Sequence, residues 1–370
     1  MRITDLRTSV VDGGASRTWL FVEVLTDEGL VGVGEASQNR NDAGVVAEVE
    51  RLKSLYVGRD PFDLIEERNL MLRRPDAHRL LFAAVSGLEQ ALWDICGKAV
   101  GLPVYKLLGG SVHQDIRLYA NISLATTSRT PAEYASNAAK AAAEGFTAVK
   151  INAFDPVLVA GKRKSTFRDL ADLAEARVKA VRSAIGDDID LLTDWSFTVP
   201  PAEAGRLATK MAAFNLFWIE EPFITADPEL LSKFRPIIAP RLATGEQLCG
   251  RMPFRRLLEA RAADVLMPDV KWIGGLLEAR KVAAMAEAFE VEIAPHNMSG
   301  PVATAASAHL CASSPNFLIL EYCWGATPWR EALVRGEESI RAGYLELPSA
   351  PGLGVNLDQD VVVKRTIEAL

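Results

Sequence analysis

The chain has 370 residues, 49% of them hydrophobic and 24% charged, so it can bury a large core and is not a disordered or disulfide-scaffold sequence. Its 41 Lys and Arg against 48 Asp and Glu leave a net charge of −7, with no basic field to draw in a phosphate backbone, and nucleic acid is not an expected partner. No run reaches the roughly 18 uninterrupted apolar residues of a membrane span, MRITDLRTSVVDGG lacks the apolar stretch of a secretion signal, and Cys96, Cys249, Cys311 and Cys323 show no zinc spacing, so a cytoplasmic chain with reduced thiols is expected.

The first elements alternate apolar and polar residues as strands do. MRITDLRTSVV is followed by TWLFVEVLTDEGLVGVGEAS, in which Asp27, Glu28 and Gly29 read as a hairpin turn. Between these runs DGGASRT, residues 12 to 18, is small and polar and reads as a mobile connection. Residues 44 to about 100 have helical spacing, ending where Gly101 and Pro103 stop RLLFAAVSGLEQALWDICGKAVG. An α+β module over residues 1–116 is the result, with the Gly/Pro-rich tail 342–370 returning to complete it.

From residue 117 to 341 short apolar runs alternate with long amphipathic ones. The runs are IRLYANIS, TAVKIN, DIDLLTDW, LFWIEEP, IIAPRLATGE, DVLMPDV, VEIAPHN and FLILEY. Eight strand-then-helix units in this span predict a closed (β/α)8 barrel of the TIM type under the α+β capping module. An open doubly wound sheet is the weaker alternative, because no G-x-G-x-x-G follows the first run and eight units suit closure.

A barrel of this kind builds its active site at the carboxyl ends of its strands, so the last polar residue of each run carries the information. These are Lys150 and Asn152, then Asp194, Glu220, Glu246, Asp269, His296 and Glu321; from Asp194 on they lie 26, 26, 23, 27 and 25 residues apart. That near-constant period puts them on one rim. Asp194, Glu220 and Glu246 could not share it as bare anions without strong repulsion, and a hard dication resolves this, their oxygen-only ligands suiting Mg²⁺. Glu221 should point the other way and form a structural ion pair. Asp269 beside His296 would fix the imidazole tautomer and raise the basicity of the other nitrogen, giving a general base. His78, His113 and His309 lack such company and read as structural, while Lys271 reads as solvated or as a supporting lysine behind the site.

TDW, WIEEP, TGE, MPDVKWIGG, APHNMSGP, LEY and the closing PGLG, with ALWDICGKAVGLPVYKLLGG upstream, together resemble the enolase superfamily, in its mandelate racemase-like subgroup, over nearly the whole chain. The resemblance implies Mg²⁺ on Asp194, Glu220 and Glu246, a base formed by His296 with Asp269, and contacts from Lys150 and Glu321 to the substrate carboxylate or its enediolate, Glu321 donating a hydrogen bond if protonated. A proton next to a carboxylate is weakly acidic, and the positive groups would stabilise the dianion its loss creates.

Racemisation in that subgroup uses a second base, the second lysine of K-x-K, where this chain has Lys150-Ile151-Asn152. A single base suits loss of water from a sugar acid to give a 2-keto-3-deoxy acid; lactone cycloisomerisation or epimerisation is the alternative. Galactonate-type dehydratases that share K-x-N carry a histidine two residues after the first metal ligand, whereas this chain has Ser196. Arg17 and Trp19, in a lid-like segment from Gly13 to Trp19, together with Asn121, Asn152, Trp195, Ser196, Trp324 and Trp329, are candidate substrate contacts, and the insert FDPVLVAGKRKSTF could reach over the site. The expected partner is a small carboxylate, with no membrane and with self-association into a symmetric homo-oligomer.

Overall fold

The computed structural model describes residues 1–38, 41–63, 65, 70–155, 166–223, 227–336 and 338–367. The opening module is a three-stranded antiparallel sheet, β1 (Ile3–Gly14), β2 (Arg17–Thr26) and β3 (Val31–Glu35), covered by α1 (Asp42–Tyr56) and α2 (Arg79–Val100). Its core gathers Leu6, Leu20, Val22 and Val24 of the sheet with Val49 and Leu52 of α1 and Leu88 and Leu92 of α2. The helix α2 ends on Gly101 at φ +70, the left-handed conformation that glycine takes without strain. It is long and apolar enough to span a bilayer, but 89% of its most apolar window is buried inside the protein.

The segment 12–18 differs from its expected role as a connection. Both strands run on into it, and only Ala15 and Ser16, at φ +49 and +60, form the turn. Two consecutive left-handed residues match the twist of paired strands, so a hairpin forms where composition indicates a loop. Its tip is tied down, since the Gly13 carbonyl accepts from the Thr327 hydroxyl and the Asp12 carbonyl from Trp329 Nε1 at 3.1 Å.

Eight parallel strands follow: β4 (Asp115–Asn121), β5 (Ala148–Asn152), β6 (Asp190–Asp194), β7 (Leu216–Glu220), β8 (Arg241–Thr244), β9 (Val265–Leu266), β10 (Glu292–Ile293) and β11 (Leu320–Cys323). They are hydrogen-bonded in chain order, β11 pairs with β4, and an Ile293–Phe317 bridge joins β10 to the stretch leading into β11. The sheet therefore closes on itself, as an eight-unit repeat requires and an open sheet does not. Two of the helices between strands start at caps that the sequence supplies. Thr130 accepts from the Glu133 amide ahead of α3 (Pro131–Ala143), and Thr166 and Asp169 form a reciprocal box ahead of α4 (Phe167–Ile185). Further round come α5 (Pro201–Met211), α6 (Pro228–Phe234), α7 (Arg251–Glu259), α8 (Leu276–Ala288) and α9 (Pro301–Ser313).

The barrel interior is filled by Tyr119, Ala148, Leu192, Trp218, Ala243, Val265, Met267, Ala294 and Ile319. Because side chains alternate along a strand, the residue two places on from such a plug residue faces inward again, one layer nearer the carboxyl rim. Asn121, Lys150, Asp194, Glu220, Asp269, His296 and Glu321 each stand two residues after one of them. The tail packs on the barrel as well as on the capping module. Tyr344–Glu346 adds an antiparallel edge to β4, and α10 (Gln359–Arg365) leads to Ile367, whose amide bonds the Val10 carbonyl of β1 at 2.9 Å.

Candidate active site

A cavity of about 310 Å³ opens over the carboxyl rim, lined among others by Arg17, Arg129, Asp194, Glu246, Trp272 and His296. A larger cleft of about 530 Å³, bordered by Phe82, Cys249 and Met252, carries among the described residues one acid, Glu278, which is tied to Arg251 at 2.5 Å. The rim cavity is the one with convergent chemistry.

On its floor Lys150 Nζ lies 2.6 Å from Glu220 Oε1, 2.8 Å from Glu321 Oε1 and 5.1 Å over the Tyr119 ring. Burial disfavours the lysine charge, but Glu220 and Glu321 outweigh it and raise the ammonium well above its usual value. Glu220 takes a second bond from Trp218 Nε1 at 3.0 Å. Asp194 accepts from the Ser196 amide at 2.6 Å and the Ser196 hydroxyl at 2.9 Å, and Asn152 Nδ2 donates to the same hydroxyl at 2.6 Å. Ser196 and Phe197 hold φ of +43 and +61, so the turn that wraps Asp194 is strained. Burial and the nearby Glu246 charge push Asp194 up to about 6, against the pull of Lys150.

Glu246 breaks the two-residue alternation. Its plug residue is Ala243, and the inward place falls on Gly245, whose φ of +117 turns the chain so that Glu246 reaches the cavity one position late. Glu221 is buried and, instead of the expected ion pair, accepts from the Gly245 amide at 2.6 Å, the Glu246 amide at 3.2 Å and the Thr244 hydroxyl at 2.8 Å. It thus fixes the turn that delivers Glu246, at a backbone φ of +42.

Asp269 and His296 lie beyond the last residues of β9 and β10, in buried loops rather than on the strands themselves. His296 Nδ1 is 2.7 Å from Asp269 Oδ2, while Nε2 faces Glu246 at 3.5 Å and Glu321 at 3.8 Å, with the Trp272 ring 5.3 Å away. Burial would lower the imidazole, but Glu246, Glu321 and Asp269 raise it. Glu321 accepts only: Asn121 Nδ2 and the Asn297 amide each donate to it at 2.8 Å, alongside Lys150. Burial would raise its carboxyl, yet Lys150 and His296 hold it below the usual carboxylate range.

Of the candidate contacts, Arg17, Asn121, Asn152 and Ser196 line the cavity. Trp19 and Trp324 do not. Trp19 is buried under Gly13 and Gly300 with Arg330 over its ring, and Trp324 donates to Glu144 at the surface, 2.7 Å away. Trp195 is buried against Phe154, and Trp329 is spent on the hairpin tip. Of the insert after β5, residues 156–165 lie outside the described residues. Sequence reasoning missed Arg129, Trp272 and Met298, which come from loops and lack the period that marks the strand ends. Of the two readings of Lys271, the solvated one is excluded, since the side chain is 1% exposed and its ammonium bonds Asp269.

The oxygen-only set of Asp194, Glu220 and Glu246, clustered and mutually repelling, has the donor chemistry of a hard-cation site. Among the described residues, however, no three acid, histidine or cysteine side chains are already drawn in around an ion. Glu220 is instead held by Lys150.

Residues 133–361 match the enolase C-terminal domain-like family, and residues 7–109 match the mandelate racemase/muconate lactonizing enzyme N-terminal domain. The chain belongs to the mandelate racemase/muconate lactonizing enzyme family. It is 33% identical over 378 residues to the D-xylonate dehydratase of Haloferax volcanii, covering 99% of this chain and 89% of that one. A D-galactonate dehydratase of Ralstonia pickettii is also 33% identical, over 95% of this chain and 92% of its own. A solved mandelate racemase/muconate lactonizing enzyme from Jannaschia sp. CCS1 superposes with a TM-score of 0.88 at 33% identity, covering 100% of this chain and 98% of that one. This member of the mandelate racemase/muconate lactonizing enzyme family thus shares its capping module and barrel along nearly its full length with those relatives.

Proposed function

We propose that this enzyme is a Mg²⁺-dependent hydro-lyase that removes water from a sugar acid to give a 2-keto-3-deoxy acid. The observation that carries the reading is the single base: His296 stands on one side of the cavity, and the place opposite, two residues after Lys150, is Asn152, hydrogen-bonded to Ser196. Dehydratase relatives at 33% identity support the same reading.

Asp194, Glu220 and Glu246 would hold the ion. Once bound, it would supply positive charge to the substrate carboxylate and so acidify the neighbouring C–H. His296 Nε2, its lone pair directed to the cavity by the Nδ1 bond to Asp269, takes the α-proton. Lys150, held by Glu321, places a fixed ammonium beside the charge that develops. The electron pair left on the α-carbon forms a C=C bond as the β-hydroxyl departs, and the proton carried by His296 leaves with it as water. The resulting enol relaxes to the 2-ketone. Arg17, whose guanidinium has no carboxylate partner among the described residues and donates to the Met298 thioether at 3.7 Å, would contact the distal end of the substrate.

A set of aldonates and aldarates incubated with Mg²⁺ and assayed for 2-keto-3-deoxy acid tests this. At least one should give product, and a chelator should abolish turnover until Mg²⁺ is restored. Exchange of the α-proton in deuterated water with no ketone from any acid would favour epimerisation or cycloisomerisation instead.

A further inference from the structure

Lys271 is buried within the loop that carries Asp269, and the proposed reaction gives it no task. Its Nζ donates to Asp269 Oδ2 at 2.6 Å and to Ser299 Oγ at 2.5 Å, and lies 4.7 Å over the Trp272 ring. Its own amide donates to the other oxygen, Asp269 Oδ1, at 2.7 Å. Residue 271 thus holds both carboxylate oxygens, and Oδ2 is shared between its ammonium and His296 Nδ1 at 2.7 Å.

Taking an ammonium out of water is costly, and packing alone would be served better by a neutral side chain. Glu35, the other buried acid whose charge Lys271 feels, is already satisfied by the Gly300 and Ala303 amides and the Ser37 hydroxyl, so the lysine is not spent there. What the ammonium joins is two loops: Asp269 follows β9, whereas Ser299 sits three residues after His296 on the loop that follows β10. A carboxylate held by one hydrogen bond could swing about its last torsion and offer either oxygen, or none, to the imidazole. Clamped at both oxygens, it cannot.

We propose that Lys271 is a positioning residue for the base: by fixing Asp269 between its amide and its ammonium, it keeps Oδ2 on His296 Nδ1–H and so keeps the ring in the tautomer whose Nε2 lone pair faces the cavity. The inference rests on His296 being the base, but it concerns the state of the ring before any substrate arrives.

That state can be read directly. The chain holds only His78, His113, His296 and His309, so a long-range ¹⁵N–¹H spectrum of the labelled protein, in alkaline buffer with Mg²⁺, resolves each ring, and His296→Asn identifies the signal that matters. Wild type should show one Nδ1–H tautomer for His296. Lys271→Met should mix in the Nε2–H form, and Lys271→Arg should largely restore the single form. In turnover, Lys271→Met should lower kcat roughly 10- to 100-fold with KM changed less than about twofold. The isotope effect of an α-deuterated substrate should grow, which a merely structural lysine would not cause. An unchanged tautomer in folded Lys271→Met overturns the proposal. Should that variant not fold, Ser299→Ala, which cuts the second anchor, should also mix the tautomers, and a pure Nδ1–H signal there overturns it equally. Because the spectrum needs no substrate, the absence of product from every sugar acid would refute the dehydratase reading without touching this one.

Discussion

His296 gives one nitrogen to Asp269 and turns the other to the cavity, so the two functions proposed for it, being held and taking a proton, separate in a single substitution. Asparagine at 296 can keep the bond to Asp269 but has no basic lone pair. His296→Asn is expected to lower kcat by about 10² to 10⁴, with a thermal midpoint close to wild type, as measured by product formation and by circular dichroism melts. Retention of full turnover would remove the imidazole from the mechanism. Lys150, Glu220 and Glu321 form the opposite case, a buried trio in which losing Lys150 leaves two carboxylates without their shared cation and losing either glutamate strips the lysine of one partner, so variants there mix folding with chemistry and are poorer probes.

At the scale of elements, β3 lies against α2 at van der Waals limits. A Cβ on Gly34 would stand 1.9 Å from the Gly87 carbonyl oxygen, and one on Gly32 would stand 2.1 Å from that of Ala91. Gly34→Ala must therefore push the strand off the helix backbone, and a loss of about 3 kcal/mol or more in denaturant unfolding is expected. The helix α9 offers a pH test. His309 on it is fully buried, accepts from the Tyr105 amide at 3.2 Å, and is pushed down to about 4 by burial. The unfolded chain binds this proton near pH 6.5, the folded one only near 4, so the ring's contribution to stability is present above 6.5 and lost as pH falls from 6.5 through 4. The window is worth roughly 3 kcal/mol by the same linkage. His309→Asn should lower stability at neutral pH yet flatten the decline across that window; an equally steep decline would mean that other groups carry it.

Across the whole molecule, the capping module grips the barrel through buried polar bonds rather than through a greasy seam alone. Ser86, Glu89 and Gln90 of α2 bond the Gly274 amide, the Leu276 and Leu277 amides and the Val270 carbonyl, while Asp94 joins the Val33 amide of β3 to the Leu353 amide of the tail. Calorimetry should show one cooperative unfolding transition; two resolved ones would mean that the seam yields first. Much of this architecture was legible in the sequence, because eight repeats of a strong pattern leave few closed arrangements, and because the last inward polar residue of each strand run names its own place on the rim. The illegible parts have local causes. The shift of Glu246 depends on one glycine turn, the hairpin at Ala15 and Ser16 on two left-handed residues, and the burial of Lys271 on loops from distant parts of the chain meeting over it. Strand length also differs round the barrel. β5 to β8 have four or five residues each: Lys150 lies within β5, Asp194 and Glu220 end β6 and β7, and β8 stops two residues before Glu246, whereas β9 and β10 have two each and hand over to loops before Asp269 and His296. The proposed grip on the acid is thus mostly woven into regular sheet, but the group proposed to take its hydrogen hangs from replaceable cord, so descent could refit the second for new chemistry and leave the first alone.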